Sequence, residues 1–575
     1  MLNLGFVLPL LFSKNIDMNL PSRIYQPAIT VLSVLLISCN PASQPADLIL
    51  INANIWTGNE KQPSAQAMAI LGDSILAIGS NEEIEVYKGE NTTLLDTESK
   101  FVVPGFIDSH VHLMAGGYNL TSVQLRDAKT PEEFAQRIFD FSKTIPKGTW
   151  ILGGDWDGKE WGALPSKELI DEFTPDHPVF VIRLDGHMGL ANTLAMKLSN
   201  VDKNVANISG GDIVRTDSNE LTGIFKDLAM SLITDNIPNP TPEQLDKSLD
   251  QAMRHFAMNG VTSVHHVWDQ IDYPGTTEAI ERAYREDRLL ARVYELGELG
   301  KWQDRQTRIE SFGRGDDWLK IDGLKTFVDG SLGSQTAAFM EPYLNSVDTG
   351  LLLFEKSELY NWIYQADKVE LQMGIHAIGD RAINMLLDIY EKVAVGNGDR
   401  DRRFRIEHAQ HIDSNDISRF VELGIIASMQ PYHAIDDGRW AEKVIGSERI
   451  NDMYIFRSLM DAGAKVAFGS DWPVAPVSPL WGIYAAVTRR TLDDKNPDGW
   501  VPNEKITVGQ ALKAYTINGA FASFEEDMKG TLEPGKLADF VLLSENLFEI
   551  DPVEIKDVKV LQTFVGGKNV YSATD

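Results

Sequence analysis

Cysteine is nearly absent from this sequence, since the 575 residues include only one, Cys39. A single cysteine excludes an intramolecular disulfide framework and any zinc site built from several thiolates. Positive charge is also scarce, because 53 Lys and Arg residues face 83 Asp and Glu residues and leave a formal net charge of −30. Broad contact with nucleic acid or with an anionic membrane needs clustered basic residues, so neither is expected.

Long apolar runs are missing too. The apolar stretch at residues 28–37 is too short to span a membrane. A basic residue precedes it, and it ends in the small residues of Leu36-Ile37-Ser38-Cys39. This order is typical of a secretory signal. We therefore expect residues 1–38 to be a signal peptide and residues 39–46 to be a tether.

The tetrapeptide that ends this stretch resembles a bacterial lipobox, whose cysteine carries the lipid. The resemblance implies lipidation of Cys39 and an exported chain in the cell envelope of a bacterium. Asn40, rather than an acidic residue, follows the cysteine. By the same resemblance, this favours the outer membrane, facing the periplasm, with membrane contact only through the N-terminal anchor. An ordinary leader followed by a buried cysteine is the alternative.

The rest of the composition is that of a folded protein, with 43% hydrophobic and 24% charged residues. The chain after residue 46 is rich in short strand-like segments near both of its ends. The β-rich segments are 47–56 and 67–78 near the start, and 539–543 and 558–565 near the end. We expect one small β-sandwich assembled from residues 47–102 and 526–575.

The middle of the chain alternates strand-like apolar runs with amphipathic stretches of helix length, which is the pattern of βα units. Eight such runs occur, at 106–112, 261–267, 291–296, 323–329, 371–378, 403–409, 425–430 and 465–471. Eight parallel strands with intervening helices make a (β/α)8 TIM barrel, here predicted for residues 103–525. The active site of such a barrel lies at the C-terminal ends of its strands.

One connection in this pattern is far too long for an ordinary βα loop. About 140 residues separate the first run from the second. We expect an inserted subdomain at about residues 118–250 that covers the mouth of the barrel.

Histidine is rare, with 11 residues in the chain, yet several occur at the ends of the predicted strands. His110 and His112 are two residues apart, so on a strand both imidazoles would point into the barrel. His376, His408 and Asp471 end or follow the fifth, sixth and eighth runs. Four imidazoles and a carboxylate at one barrel mouth suit a divalent metal, most often zinc.

The sequence around these residues resembles the amidohydrolase superfamily. Residues 103–112, VPGFIDSHVH, are similar to the first barrel strand of that superfamily. The later histidines and the aspartate match its remaining ligands in order, and GTLEPGKLAD at 530–539 is similar to its return to the β-sandwich. Within the superfamily the chain is most similar to the branch of N-substituted formamide deformylases. The supporting strings are GDWD at 154–157, DGH at 185–187, LTGI at 221–224 and KTFVDG at 325–330.

The resemblance implies a role for each matched position. His110, His112, His376 and His408 would bind metal, and Asp471 would bind metal and carry the proton. Lys325 matches the lysine that is carboxylated and bridges two metals in many members, whereas some branches use one metal and no modified lysine. By the same resemblance His187 would contact substrate or the barrel mouth, with a structural role as the alternative. Apart from the resemblance, Trp156 is expected either to form part of an aromatic substrate wall or to belong to the core of the insertion. His266, at the end of the second run, is a further candidate substrate contact. Strand alternation predicts that Glu407, next to His408, points the opposite way and acts as a structural partner, and His433 is expected to be structural.

These observations predict a metal-dependent hydrolase that cleaves a non-peptide C–N bond in an amide, an N-substituted formamide or a cyclic amide. The partner would be a small-molecule amide, and a homodimer is an expected assembly. Two alternatives stay open. One is a non-catalytic envelope lipoprotein that binds a small ligand, and the other is the same site acting on esters or peptide-like amides.

Overall fold

The structure is a computed structural model that describes residues 44–156, 161–183, 187–208, 210–268 and 273–574. Residues 45–575 form one compact unit. Cys39 and the predicted signal peptide lie outside the described residues. Within the described ranges, no helix combines the length and the apolar character that crossing a membrane requires.

Eight parallel strands in the middle of the chain form a barrel. They are numbered here in chain order: β1 Phe106–Val111, β2 Val261–Val267, β3 Arg292–Glu298, β4 Leu319–Phe327, β5 Gln372–Ala377, β6 Arg405–His408, β7 Ile426–Met429 and β8 Lys465–Phe468. Each strand pairs with the next, and a bridge from Val111 to Trp472 joins β1 to the segment after β8. Each predicted run overlaps one of these strands, so the predicted (β/α)8 fold class is confirmed.

Helices follow the barrel strands and cover their outer faces. The longer ones are Leu113–Thr121, Pro242–Met258, Thr276–Arg285, Trp302–Phe312, Lys356–Lys368, Asp380–Asn397, Pro431–Asp437, Phe456–Ala462, Pro479–Thr488 and Val508–Ala514. Helix Thr276–Arg285 illustrates the pattern, because Ala279, Ile280 and Ala283 form one buried face. Such an apolar stripe opposite charged residues is typical of a helix that packs on a sheet.

The insertion after β1 contains a six-stranded sheet. In spatial order its strands are Gly211–Arg215, Leu221–Asp227, Met188–Ala191, Phe180–Arg183, Gly153–Trp156 and Val123–Gln124. Helix Pro131–Ser142 contributes Phe134 and Ile138 to a core that it shares with this sheet. The inserted segment therefore has a hydrophobic core of its own.

Strands from both chain ends form two further sheets. One has the order Ser74–Gly79, Ala67–Leu71, Leu48–Ile51, Thr93–Asp96, and the other Lys568–Ser572, Val560–Val565, Phe540–Leu543, Phe101–Pro104, Asn54–Trp56, Ser64–Ala65. The β-rich segment 47–56 is therefore two strands in different sheets. Asn52, with a φ of 53°, turns the chain between them, since asparagine tolerates this conformation better than most residues.

The chain passes from the sandwich to the barrel at Gly105. Strand Phe101–Pro104 ends immediately before it and β1 begins immediately after it, so the first sandwich part extends beyond the predicted end at 102. A Cβ atom on Gly105 would lie 2.1 Å from Thr262 Oγ1. Glycine avoids this clash with the buried side chain of Thr262.

A buried ion pair connects the barrel to the C-terminal part of the sandwich. Arg292 at the start of β3 donates from Nε and Nη2 to both carboxylate oxygens of Asp539, at 2.8 and 3.1 Å. Arg292→Met would leave Asp539 buried without its main partner. We expect it to lower the free energy of unfolding by about 3–5 kcal/mol, measured by urea denaturation.

The matched control is Arg282→Met. Arg282 also makes a two-point contact, with Asp246, but this side chain is 31% exposed. An exposed pair contributes about 1 kcal/mol or less. Equal effects of the two variants would contradict the stabilising role of the buried pair.

Candidate metal centre

The four predicted histidine ligands meet at the C-terminal ends of the barrel strands. Their rings form a continuous row from His112 through His110 and His408 to His376. Successive ring centroids are 5.5, 4.8 and 4.6 Å apart. All four side chains are buried. Residues from β1, β5 and β6 are therefore brought together as the barrel fold requires.

Asp471 lies beside the two histidines of β1. Its Oδ1 is 3.0 Å from His112 Nε2 and 3.5 Å from His110 Nε2, and ligand atoms of the three residues lie within 4.8 Å of one another. The Asp471 N–H donates to the carbonyl of His110 at 2.8 Å. Its φ of 62° turns the chain as it leaves β8. The fold therefore assembles a His-His-Asp group that could hold a metal ion.

A second such group contains a residue that the sequence analysis missed. His408, His433 and Asp471 also have ligand atoms within 4.8 Å of one another. His433 Nε2 lies 3.7 Å from Asp471 Oδ2. His433 is on helix Pro431–Asp437, directly after β7. Its position just beyond a strand end was the available signal, since His112 and Asp471 share it.

His376 and Lys325 lie on the neighbouring strands β5 and β4. His376 Nε2 donates to the carbonyl of Gly330 at 3.1 Å, which leaves Nδ1 as its ligand atom. Lys325 is fully buried, and its Nζ lies 4.0 Å from the ring centroid of Phe327. The ring of Phe327 is in turn 5.0 Å from that of His376. Lys325 therefore belongs to the same buried region as the histidines.

Two hydrogen bonds set the tautomers of the central histidines. His110 Nδ1 donates to Glu407 Oε2 at 2.6 Å, and His408 Nδ1 donates to Gln430 Oε1 at 2.8 Å. Each Nε2 atom then carries the lone pair. Burial lowers the pKa of His110 to about 4, against the opposing effect of Glu407, and it lowers the pKa of His408 well below its usual range.

The carboxylate of Asp471 is charged in the same region. Burial alone would raise its pKa, but the hydrogen bond from His112 and the electrostatic influence of the adjacent His110 and His408 hold the pKa well below its usual value. Neutral imidazoles and an ionised carboxylate are the forms in which these side chains bind metal. The site is therefore prepared for a cation at neutral pH.

The donor atoms fit a divalent ion. The buried atoms without a hydrogen-bond partner in the described part of the chain include a nitrogen from each of three candidate ligands: His110 Nε2, His376 Nδ1 and His433 Nε2. Buried polar atoms without partners are costly in a stable fold. Imidazole nitrogen with carboxylate oxygen is the ligand set that zinc and related divalent metals take. The residues present therefore fit the metal that the fold implies.

Glu407 corrects one expectation of the sequence analysis. Strict strand alternation predicts that Glu407 points away when its neighbour His408 points into the barrel. The structure instead turns both side chains towards the site, because His408 has a φ of 67° and Ala409 a φ of 44°. The alternation ends where the strand ends.

The three residues predicted to contact substrate lie in different parts of the structure. Trp156 is fully buried in the core of the insertion, where its Nε1 donates to the carbonyl of Val181 at 3.0 Å. The structure therefore gives it a packing role and does not bring it to the histidines. His187 is exposed and hydrogen-bonds Asp227 through Nδ1 at 2.9 Å. His266 is buried at the end of β2 and lines a cavity of about 560 Å³.

Comparisons with known proteins agree with this geometry. The chain is 40% identical over 544 residues to "Protein LONG AFTER FAR-RED 3" of Arabidopsis thaliana, which covers 92% of each chain. It is 28% identical over 563 residues to an N-substituted formamide deformylase of Arthrobacter pascens, which covers 92% of this chain and 99% of the relative.

A solved structure shares the fold. It is an uncharacterized metal-dependent hydrolase from Pyrococcus horikoshii OT3, with a TM-score of 0.74 and 28% identity over 88% of this chain and 99% of that one. Residues 93–571 match the amidohydrolase family. This match spans most of the sequence, including the barrel, the insertion and the candidate metal centre. The protein is therefore a member of the amidohydrolase family.

Proposed function

We propose that the protein is a metal-dependent hydrolase that cleaves a non-peptide C–N bond in a small amide, an N-substituted formamide or a cyclic amide. The observation that carries the proposal is the buried His110–His112–Asp471 group, whose ligand atoms lie within 4.8 Å of one another. The similarity to a formamide deformylase along nearly the whole chain supports the choice of bond.

The chain supplies ligands for one or two ions, with zinc as the expected metal. His110, His112 and Asp471 would hold one ion. His376 and His408 would hold another, with a carboxylated Lys325 between the two. A bound divalent ion lowers the pKa of water from 15.7 to about 7 and polarises a carbonyl oxygen. The adjoining buried side chains keep bulk water from this region and strengthen its electrostatic interactions.

Asp471 would carry the proton. Its Oδ1 lies beside His110 and His112, which leaves Oδ2 to accept a proton from the attacking water. The same carboxyl group would then give the proton to the leaving nitrogen, so that the amine departs neutral. Positioned proton transfer of this kind accelerates a reaction by about 10²–10⁴-fold.

His266 and His187 are proposed to contact the substrate. His266 shares its cavity with Trp268 and Glu298, which follow or end β2 and β3. His266 also pairs in register with Val111, the residue between the two histidines of β1. His187 is accessible on the insertion. Trp156 is not part of this proposal because its side chain is enclosed in a core.

Metal analysis of the pure protein, followed by a substrate panel, tests the function. The panel contains N-substituted formamides, linear amides, cyclic amides, carboxylic esters and dipeptides, each assayed before and after dialysis against a chelator. We expect metal-dependent turnover of at least one of the first three classes. Turnover of esters or dipeptides alone would change the bond that we assign. A pure protein that contains no metal and binds these compounds without turnover would instead be a ligand-binding protein.

We further propose that lipidated Cys39 anchors the chain in a bacterial envelope, in the outer membrane facing the periplasm. The sequence Leu36-Ile37-Ser38-Cys39 supports this proposal. Stable anchoring needs more than one acyl chain, as at a lipoprotein N-terminus. We expect the wild-type chain to fractionate with membranes and Cys39→Ser to be soluble in the periplasm. Equal partitioning of both forms, judged against a soluble periplasmic marker, would disprove the anchor.

A further inference from the structure

We propose that Glu407 is a positioning residue that fixes the metal-binding nitrogen of His110 and strengthens that ligand with a negative charge. The inference rests on the metal site proposed above. His110 Nδ1 and Glu407 Oε2 are 2.6 Å apart, and both side chains are fully buried. A carboxylate accepts hydrogen bonds and donates none, so the proton of His110 is held on Nδ1. Nε2 is then the only atom left to bind a metal.

Arg405 holds the Glu407 carboxylate in place. Its Nε donates to Oε1 at 2.7 Å, and its Nη2 donates to Oε2 at 3.2 Å. This two-point contact prevents the carboxylate from rotating away from His110. The position of Glu407 Oε2, which accepts the hydrogen bond from His110, is therefore fixed relative to β6.

Arg405 is itself held by the barrel interior. It donates to His265 Nδ1 at 2.8 Å, to Ser428 Oγ at 3.1 Å and to the carbonyl of Ser109. These partners come from β2, β7 and β1, and Arg405 is completely buried. One guanidinium group thus links four strands beneath the histidines and orients Glu407 from below.

The two central histidines, His110 and His408, differ in the group that accepts the hydrogen bond from Nδ1. His110 is backed by the charged carboxylate of Glu407, whereas His408 is backed by the neutral amide of Gln430. A negative partner makes an imidazole more basic and a stronger ligand, and removing such a partner typically costs 10–100-fold in metal affinity. The position held by His110 and His112 is therefore the tighter of the two.

Glu407→Gln tests this role with Zn²⁺ affinity as the readout. Glutamine keeps the shape and a carbonyl acceptor but removes the charge. We expect Zn²⁺ to bind about 10–100-fold more weakly in competition with a chromophoric chelator. The visible spectrum of the Co²⁺-loaded protein should also change, because it reports on the ligand field. Unchanged affinity and an unchanged spectrum would overturn the proposal.

Glu295→Gln is the matched control. Glu295 is buried and paired with Arg305 and Arg308, and its pKa, like that of Glu407, is about 2, because the neighbouring arginines outweigh burial. It touches none of the candidate ligands in the described part of the chain. This variant should lose stability to a similar extent and keep its Zn²⁺ affinity. A parallel loss of affinity in both variants would show a merely structural effect.

A third variant keeps the proposal testable if Glu407→Gln does not fold. Glu407→Asp keeps the charge beside Arg405 but shortens the reach to His110, so it should fold and still bind Zn²⁺ more weakly. Wild-type affinity in this variant would refute the positioning role. A wild-type protein that binds no Zn²⁺ would instead refute the metal site itself, so the two failures are distinguishable.

Discussion

Asp471→Asn should lower kcat by about 10²–10⁴-fold while the protein stays folded. Asparagine cannot accept the proton that Asp471 is proposed to carry. It can still adopt the backbone conformation at this position, where φ is 62°, because asparagine tolerates the left-handed region. The loss should therefore appear in turnover. The measurement is kcat on the best substrate of the panel, with circular dichroism and bound metal recorded for the same sample.

Asp367→Asn is the control for this experiment. Asp367 is also a buried aspartate, but it pairs with Arg402 and Arg400 on the outer helical layer. Its replacement should reduce stability and leave kcat close to the wild-type value. Near-native turnover by Asp471→Asn would remove Asp471 from the proton-transfer role.

Lys325→Ala should lose bound metal and most of the activity. A lysine buried near divalent ions can lose its proton and react with dissolved carbon dioxide, which converts it into an anionic ligand with one oxygen for each metal. This anion would also offset positive charge in a site otherwise lined by imidazoles and Asp471. Metal content per chain, measured after gel filtration, should fall together with kcat. A small added carboxylic acid should restore part of both.

Lys320→Ala is the control on the same strand. Lys320 lies near the opposite end of β4, where its Nζ donates to the carbonyl of Ser523 at 2.6 Å. This variant should keep its full metal content. A wild-type protein that is fully active with one ion, or full activity in Lys325→Ala, would replace the bridged pair with a mononuclear site.

Much of the fold follows from simple patterns. The eight apolar runs predicted the eight barrel strands because barrel strands are buried on both faces and read as continuous hydrophobic segments. β1 and β5 show this directly, since every residue in each is buried. The His110–His112 spacing predicted a shared face for the same reason that strands alternate. The family resemblance then supplied the order of the remaining ligands.

The rest depends on local backbone geometry and on tertiary packing. The entry of His408 into the site beside Glu407 follows from the positive φ values of His408 and Ala409, which no composition rule reveals. His433 was overlooked because it lies on a helix and has no strand periodicity. Trp156 shows a different limit. A tryptophan near a predicted site and a tryptophan in a core look the same in sequence, and only the packing around Phe134 and Trp161 distinguishes them.

The candidate metal centre lies on the line along which the barrel closes. The first and last strands meet there, with Ser470 N donating to Asp108 Oδ1 at 2.8 Å across 362 residues of chain, and ligands stand on both sides of the line. A bound ion would act as a removable crosslink between the two ends of the rolled sheet. At a free concentration of 100 times its Kd, such a ligand adds about 2.7 kcal/mol to the free energy of unfolding. Chelation of the ion would therefore lower the free energy of unfolding of the barrel as well as abolish the activity.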